Sequence, residues 1–289
     1  MAIIELKNVC FKYGKKTPYE INALDNVSLT IEENAITGLI GHTGSGKSTL
    51  VQMLNGLLKP DSGTVVVDGQ TLWEKPKKIG DVRFKVGMVM QYPEYQLFAE
   101  TVGDDIAYGP KNMGLSQEEI NKRVAKSISF CGLDESILDK SPFDLSGGQK
   151  RRVALAGIMA MEPKILVLDE PAAGLDPKGR REILGGIKKF KEESGTSVII
   201  VSHSMEDMAM YCDRILVMSH AQLIANGTCE EIFSNRDLLY KAGLDVPEIS
   251  NIATKLRENG VQLPDNIYTV EGAVNALIEL YKPDVGGAQ

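Results

Sequence analysis

A nine-residue stretch, GHTGSGKST at 41–49, has the residue types and spacing of a phosphate-binding loop, GxxxxGK[ST]. Its glycines let the backbone wrap so that successive N–H groups point at phosphate oxygens, and the following helix adds its positive end. We expect Lys47 to reach the β- and γ-phosphates and the hydroxyl of Ser48 to coordinate Mg²⁺. The motif indicates a nucleoside triphosphate without specifying its use, and an ordinary glycine-rich turn is the alternative. The residues expected to hold the nucleotide here are Gly41, His42, Thr43, Gly44, Ser45, Gly46, Lys47, Ser48 and Thr49.

Three polar side chains follow continuous apolar runs that are typical of buried strands. ILVLDE ends in Asp169 and Glu170, and SVIIVSH ends in His203. Ligands of open α/β sheets bind at the carboxyl ends of the strands. Asp169 therefore fits a partner of Mg²⁺ through water, Glu170 fits the base that polarises an attacking water, and His203 fits a γ-phosphate contact. The alternatives are a solvated acidic strand end and a structural histidine.

The pentapeptide LSGGQ at 145–149 opens a predicted helix and indicates a second anion-binding position. Ser146 is a natural N-cap, and the glycines leave backbone N–H groups free to meet an anion. A chain with one phosphate loop hardly needs a second helix start for the same nucleotide, so the pentapeptide is expected to serve a nucleotide held by another subunit. An ordinary capped helix is the alternative. The residues assigned to this contact are Leu145, Ser146, Gly147, Gly148 and Gln149.

The elements that must position these residues alternate between apolar strands and helices. This alternation predicts an α/β core with a parallel sheet covered on both faces, preceded by short alternating strands in the first 40 residues. A helical insertion is expected over about 92–163, and a small, more polar appendage after about 245. A helix over KSTLVQMLNGLL is expected to end at Lys59 and Pro60.

Composition narrows the class of protein. The chain has 289 residues and a formal net charge of −7, which argues against a dedicated nucleic-acid binder. Its four cysteines include no CxxC pair, and its three histidines show no metal-ligand spacing. The longest apolar runs are far shorter than the roughly 20 residues that span a bilayer, so any link to a membrane is expected to go through another protein or a surface contact.

Taken together, the motifs resemble the nucleotide-binding subunits of ATP-binding-cassette transporters. The elements GHTGSGKST, Gln91, LSGGQ, ILVLDE, GLDP at 174–177 and His203 stand in the family's order over about residues 5–235. The resemblance implies a P-loop NTPase (RecA-like) fold with an N-terminal antiparallel β subdomain, a nucleotide-binding domain over 1–244 and a C-terminal extension over 245–289. It also implies ATP and Mg²⁺ as cofactors.

In that family two subunits pair head to tail, and each ATP lies between one subunit's phosphate loop and the other's LSGGQ. The resemblance implies that Tyr13 stacks on the adenine and that Asp176 lies in the loop crossing to the partner site. Gln91, which closes a predicted strand, is expected to reach the Mg²⁺ and the water around the γ-phosphate.

The segment QYPEYQLFAETVGDDIAYGPKNMGLS is similar to that of energy-coupling-factor transporters, including the cobalt and nickel uptake ATPases. The resemblance, closest to the second of the two ATPases in such systems, implies an importer of vitamins or transition-metal ions. It also implies a sister ATPase, a transmembrane coupling protein, a separate substrate-capture membrane protein, and a peripheral position on the cytoplasmic face of the cell membrane. A homodimer in place of the heterodimer, and a soluble regulatory or repair ATPase without a transport role, are the alternatives.

The apolar residues 92–98, YPEYQLF, are expected to form a groove that grips helices of the coupling protein. Plain packing of the insertion against the core is the alternative for each aromatic residue there.

Overall fold

A mostly parallel sheet forms the centre of the computed structural model, which describes residues 1–74 and 79–281. In the described part of the chain this sheet has six strands in the order β10-β9-β3-β8-β7-β6, of which only the β9–β10 pairing is antiparallel. The strands are β3 (Ile36–Gly41), β6 (Val86–Val89), β7 (Ile165–Asp169), β8 (Ser197–Val201), β9 (Arg214–Ser219) and β10 (Gln222–Thr228).

Burial on both faces explains why these strands read as continuous apolar runs. Along β7, Leu166 and Leu168 join one apolar cluster, whereas Ile165 and Val167 join another. Alternate side chains of a strand point to opposite faces, so the two clusters cover the two faces of the sheet. The parallel strands therefore end together at one edge, where their polar terminal residues meet.

A second, antiparallel sheet is built mostly from the N-terminal residues. Its order is β2-β1-β4-β5, and Tyr13 at the end of the first strand is paired with Ile21 at the start of the second. The connection at 14–20 is thus a hairpin loop that brings these two residues side by side. The strands are β1 (Ala2–Tyr13), β2 (Ile21–Glu32), β4 (Ser62–Val67) and β5 (Gln70–Thr71).

The helices cover the parallel sheet and fill the segment between β6 and β7. Several begin at side-chain caps, as Ser116, Ser146, Asp176 and Ser204 each accept a hydrogen bond from the backbone N–H three residues on. The helices are α1 (Lys47–Leu54), α2 (Ile79–Lys85), α3 (Val102–Asn112), α4 (Gln117–Phe130), α5 (Gly147–Met159), α6 (Pro177–Ser194), α7 (Met205–Tyr211), α8 (Cys229–Ser234), α9 (Arg236–Lys241), α10 (Glu248–Glu258) and α11 (Val270–Tyr281).

Two sequence expectations about the ends of elements need correction. Helix α1 ends at Leu54, before Lys59 and Pro60, because Gly56 adopts a left-handed φ of 70° that stops the helical path. Strand β6 ends at Val89, so Gln91 lies in the bend that follows the strand and does not close it.

The residues after about 245 form the helices α10 and α11. They share a small apolar cluster around Ala253, Leu263 and Ala273, separate from the two clusters of the main sheet. Residues 282–289 of the predicted extension lie outside the described residues. Within 1–74 and 79–281, no helix has both the length and the apolar character needed to span a membrane.

Candidate active site

The 41–49 loop leads from β3 into α1 and has the open backbone that phosphate binding requires. Gly46 precedes α1 with a φ of 104°, and a Cβ there would overlap the carbonyl oxygen of Ala23. Gly44 has a φ of 80° and no atom within 4 Å of where its Cβ would be. The loop therefore needs glycine at Gly46 for a close approach, and it leaves free space around Gly44.

Lys47 is buried at the base of this loop. Its ammonium Nζ donates to the carbonyl oxygen of Gly41 at 2.6 Å and to that of His42 at 3.0 Å. Burial lowers the pKa of Lys47, and the nearby carboxylates of Asp169 and Glu170 oppose that fall. The cation is therefore held against the loop backbone by neutral oxygens, in a position where added phosphate charge would stabilise it.

Asp169 and Glu170 emerge where β7 ends, beside the same loop. Burial raises the pKa of both carboxyl groups; Lys47 and His203 counter the rise at Asp169, and His203 counters it at Glu170. The Oε1 atom of Glu170 is buried and has no hydrogen-bond partner in the described residues. Its backbone is also constrained, since φ is 53° and its N–H donates to Val201 at 2.9 Å. A buried acceptor oxygen without a partner is suited to holding a water molecule.

His203 follows β8, the strand next to β7. Its Nε2 lies 3.8 Å from Oε1 of Glu170, and about half of its side chain is exposed. The ring therefore stands at the mouth of the site, between the candidate base and solvent, where it can donate to a γ-phosphate.

These residues share one cavity of about 570 Å³ at the carboxyl edge of the sheet. Tyr13 forms part of its wall, with its hydroxyl 3.3 Å from Oγ1 of Thr49 and an exposed fraction of 44%. Its ring packs edge-on against Phe11 with centroids 4.9 Å apart. The predicted residues that line the cavity are Tyr13, Thr43, Gly44, Gly46, Lys47, Ser48, Thr49, Gln91, Asp169, Glu170 and His203.

Three predicted loop residues do not line the cavity. The imidazole of His42 instead packs against His220, with ring centroids 5.1 Å apart. A Cβ added at Gly41 would lie 2.5 Å from Oγ of the fully buried Ser45, so both residues are sterically enclosed. These three residues belong to the loop but do not face the cavity.

The LSGGQ residues 145–149 and Asp176 lie outside the cavity. Ser146 and Gln149 form a reciprocal capping box at the start of α5, and Gly147 is exposed with open space around its Cα. Asp176 caps α6 by accepting from the N–H of Gly179 at 2.8 Å. Ser146, Gly147, Gln149 and Asp176 are all exposed to solvent and none of them lines the cavity.

Sequence reasoning missed five residues of the cavity wall. Their residue types do not indicate a binding role. Only the pairing of Tyr13 with Ile21 across the hairpin would have indicated that Ile21 lies beside Tyr13 in the cavity wall. They are Ile21, Asn22, Ala23, Ala173 and Val201.

The donor set fits Mg²⁺ bound together with phosphates. The described residues contain no group of three or more His, Cys, Asp or Glu side chains that would hold a metal unaided. Mg²⁺ usually takes one or two carboxylates together with substrate phosphates and water. The Ser48 hydroxyl, the Asp169 carboxylate and the Gln91 amide all line the cavity and supply oxygen ligands of this kind.

A second cavity of about 730 Å³, here called the insertion groove, lies between α2, α3 and α5. Phe98 and Tyr108 pack edge-on across it at 4.9 Å, and more than half of each side chain is exposed. Tyr92 and Tyr95 are exposed but do not line it. The lining includes Phe84, Val89, Pro93, Gln96, Leu97, Phe98, Asp105, Tyr108, Ala154, Ile158 and Met161.

Fold and site together define a P-loop nucleoside triphosphatase, and solved structures share the architecture. The structure of cbiO1 from Clostridium perfringens, part of the ABC transporter complex cbiONQ, superposes with a TM-score of 0.74 at 37% identity. That match covers 87% of this chain and 98% of that chain. A dimeric ATP-binding cassette, MJ0796 bound to ADP and Pi, gives a TM-score of 0.71 at 30% identity over 78% of this chain and 98% of its own.

Sequence comparison identifies the family. The ABC transporter family model matches residues 24–173. The energy-coupling factor transporter ATP-binding protein EcfA2 of Clostridium perfringens is 52% identical over 280 residues, 96% of this chain and 98% of that protein. The chain therefore belongs to the ABC transporter family, among the energy-coupling factor transporter ATP-binding proteins. The predictions of the fold class, the family and a transport ATPase are confirmed.

Proposed function

We infer that this chain binds and hydrolyses ATP to energise an energy-coupling-factor importer of vitamins or transition-metal ions. The observation that carries the inference is the buried Oε1 of Glu170, which has no hydrogen-bond partner within 1–74 and 79–281 and shares one cavity with Lys47 and His203. A carboxylate in this position orients the attacking water and accepts its proton. The relatives' names support the coupling of this reaction to transport.

The chain's own groups carry the rest of the chemistry. Lys47 and the N–H groups of the 41–49 loop hold the phosphates and neutralise charge that develops during transfer. His203 donates to the γ-phosphate, and Tyr13 stacks on the adenine. When bound, Mg²⁺ supplies charge neutralisation at the phosphates, held by Ser48, Gln91 and, through water, Asp169.

A second ATPase completes each site. The exposed start of α5 at Ser146–Gly148 donates to an ATP bound by the partner, and Asp176 lies on the connection between the two sites. These residues do not line the chain's own cavity, and this separation supports a shared site. The partner is a sister ATPase in a heterodimer, as the similarity to EcfA2 proteins supports.

The insertion groove receives helices of a membrane coupling protein. Its apolar lining with exposed Phe98 and Tyr108 supports this role, because exposed apolar patches of this kind mark interaction sites. The subunit thus binds peripherally at the cytoplasmic face of the membrane, and a capture protein for the substrate joins through the same complex.

The extension at 245–289 pairs the two ATPases. On α11, Val270, Val274 and Ile278 are spaced four residues apart and are exposed by 64%, 46% and 53%. Such spacing aligns them on one face of the helix. An apolar face of this kind supports packing against the sister subunit.

Glu170→Gln tests the proposed function in the assembled membrane complex. We expect turnover to fall by about 10²-fold or more, because the base is lost while ATP binding is kept. Glu192→Gln, at an exposed position on α6, is the matched control and should leave both turnover and ATP binding unchanged. Unchanged hydrolysis in the Glu170→Gln complex would exclude the assigned base.

Co-purification from cells separates transport from a soluble repair or regulatory role. The transport function predicts a stable complex with a polytopic membrane protein and a second ATPase, identified by mass spectrometry. Recovery of a monodisperse chain with no membrane fraction would favour the soluble ATPase.

A further inference from the structure

Arg151 on α5 is a buried cation that lies between the two cavities. Its guanidinium donates two hydrogen bonds to the carboxylate of Glu94, from Nη2 to Oε1 at 2.9 Å and from Nε to Oε2 at 3.2 Å. Its Nη1 also donates to the backbone carbonyl of Ala173. Only 7% of the residue is exposed, so the pair is shielded from solvent and from screening ions.

The carboxylate end of this pair lies in a segment whose neighbouring residues line the insertion groove. Glu94 lies in the 3₁₀ turn Pro93–Gln96, and its neighbours Pro93, Gln96 and Leu97 line the groove. Any occupant that displaces this turn must therefore move Glu94 or break its two hydrogen bonds.

The opposite end of the guanidinium reaches the ATP cavity. Ala173 lines that cavity, and its N–H donates to the carbonyl of Glu170 at 3.2 Å, closing the turn that follows the candidate base. The contact from Arg151 therefore fixes the backbone that carries Glu170. Since Arg151 lies five residues after Ser146, it also fixes the helix whose start faces the partner's ATP.

A neighbouring pair on the same helix serves as an internal comparison. Arg152 donates to Glu182 at 2.7 Å and to the carbonyl of Cys131 at 3.0 Å. Neither Arg152 nor Glu182 lines the groove or the ATP cavity. Both arginines anchor α5, but only Arg151 contacts segments belonging to the two cavities.

We propose that Arg151 is a positioning residue that couples occupancy of the insertion groove to the geometry of ATP hydrolysis, through Glu94 on one side and Ala173 on the other. The identity of the groove's occupant rests on the proposed function, but the coupling itself is a property of this chain. Coupling is reciprocal. Nucleotide in the ATP cavity must therefore alter residues 93–99, here called the groove segment, even when the groove is empty.

The groove segment carries its own reporters of that change. The backbone N–H groups of Phe98 and Ala99 donate to Oδ2 of Asp105 at 3.2 Å and 3.0 Å. Their hydrogen exchange reports how firmly the segment after Glu94 is held.

Hydrogen–deuterium exchange of the isolated full chain, with and without Mg-ATP, tests the proposal. A Glu170→Gln background slows turnover, and Glu94→Gln is added to remove the pair, with Glu182→Gln as the matched control. In the parent and the control we expect ATP to change exchange at Phe98 and Ala99 by about fivefold or more. In Glu94→Gln the change should be mostly lost while ATP affinity is kept.

Two results would overturn the proposal: an undiminished response in Glu94→Gln, or no response in the parent chain. If Glu94→Gln does not fold, Glu94→Asp replaces it, since one methylene less removes the two-point contact while keeping the charge. Because no membrane protein is needed, failure to recover a transport complex would contradict the proposed function and leave this measurement intact.

Discussion

Glu170 has a left-handed backbone and a buried Oε1 that finds no hydrogen-bond partner in the part of the chain that the structure describes. Burial raises its pKa above the ordinary 4.5, so the folded protein favours the protonated form more than the unfolded chain does. The resulting stability is present below the unfolded pKa and is lost as pH rises through the folded pKa. At neutral pH the ionised carboxylate therefore costs the nucleotide-free protein stability.

Glu170→Gln should accordingly stabilise the nucleotide-free chain at pH 7 to 8. We expect an increase of about 1 kcal/mol in the free energy of unfolding, because a buried charge is replaced by a neutral amide. Urea unfolding between pH 4 and pH 8 measures it, and the advantage should shrink as pH falls toward 4.5. A variant less stable than the parent at pH 8 would contradict this account of the site.

Lys47 is expected to contribute to ATP binding separately from Glu170. Lys47→Ala removes the buried ammonium that faces the phosphates, and it should weaken ATP binding by about tenfold or more, the range of one charged hydrogen bond. Isothermal titration measures the affinity, with Lys59→Ala, at an exposed position, as control. Equal affinity in the parent and Lys47→Ala would remove Lys47 from the phosphate site.

The residues that sequence reasoning predicted differ physically from those that it missed. Lys47 and Glu170 lie in local segments, a glycine-rich turn and a strand end, whose own sequence predicts their chemistry. Asn22 and Val201 line the cavity because a hairpin register and a sheet order bring them there. Those relations join distant segments, and a single sequence does not display them.

At the scale of elements, α6 is held against α4 by a close backbone approach. A Cβ added at Gly186 would overlap the carbonyl oxygen of Phe130, the last residue of α4. One added at the adjacent Gly185 would meet nothing within 4 Å. The two glycines are therefore a matched pair, since only Gly186 is required by packing.

Alanine at these two positions should change stability in opposite directions. We expect Gly185→Ala to stabilise the chain by about 0.5–1 kcal/mol through helix propensity, and Gly186→Ala to destabilise it by about 2 kcal/mol through overpacking. Chemical denaturation of both variants measures the difference. Equal effects of the two substitutions would show that α4 and α6 do not approach this closely.

Element identity was predictable where the pattern was long and uniform, as in β7, β8 and α6. The ends of elements were less predictable. Helix α1 is stopped by Gly56, whereas Pro60, which marked the expected end, lies four residues later. Gln91 was assigned to a strand end, yet β6 stops at Val89 because pairing with β7 stops there. The position of a partner strand decides such ends.

At the scale of the whole molecule, the chain separates the two features that the sequence predicts to bind phosphate. The 41–49 loop faces its own cavity, whereas the start of α5 is exposed and lies outside it. Under the proposed function one chain holds half of each of two sites, and the activity of the assembly then depends on surfaces that do not affect binding to the isolated chain.

Ser146→Asp separates the activity of the assembly from the stability and ATP binding of the isolated chain. Aspartate caps a helix about as well as serine, but it places a negative charge where the partner's phosphate is expected. Stability and ATP affinity of the isolated chain should stay unchanged. Steady-state hydrolysis by the complex with the sister ATPase should fall by about tenfold or more, since like charges meet in a closed interface. Ser116→Asp, at the equivalent cap of α4, is the control and should leave hydrolysis unchanged. Full activity of the Ser146→Asp complex would show that the exposed start of α5 does not contribute to the partner's ATP site.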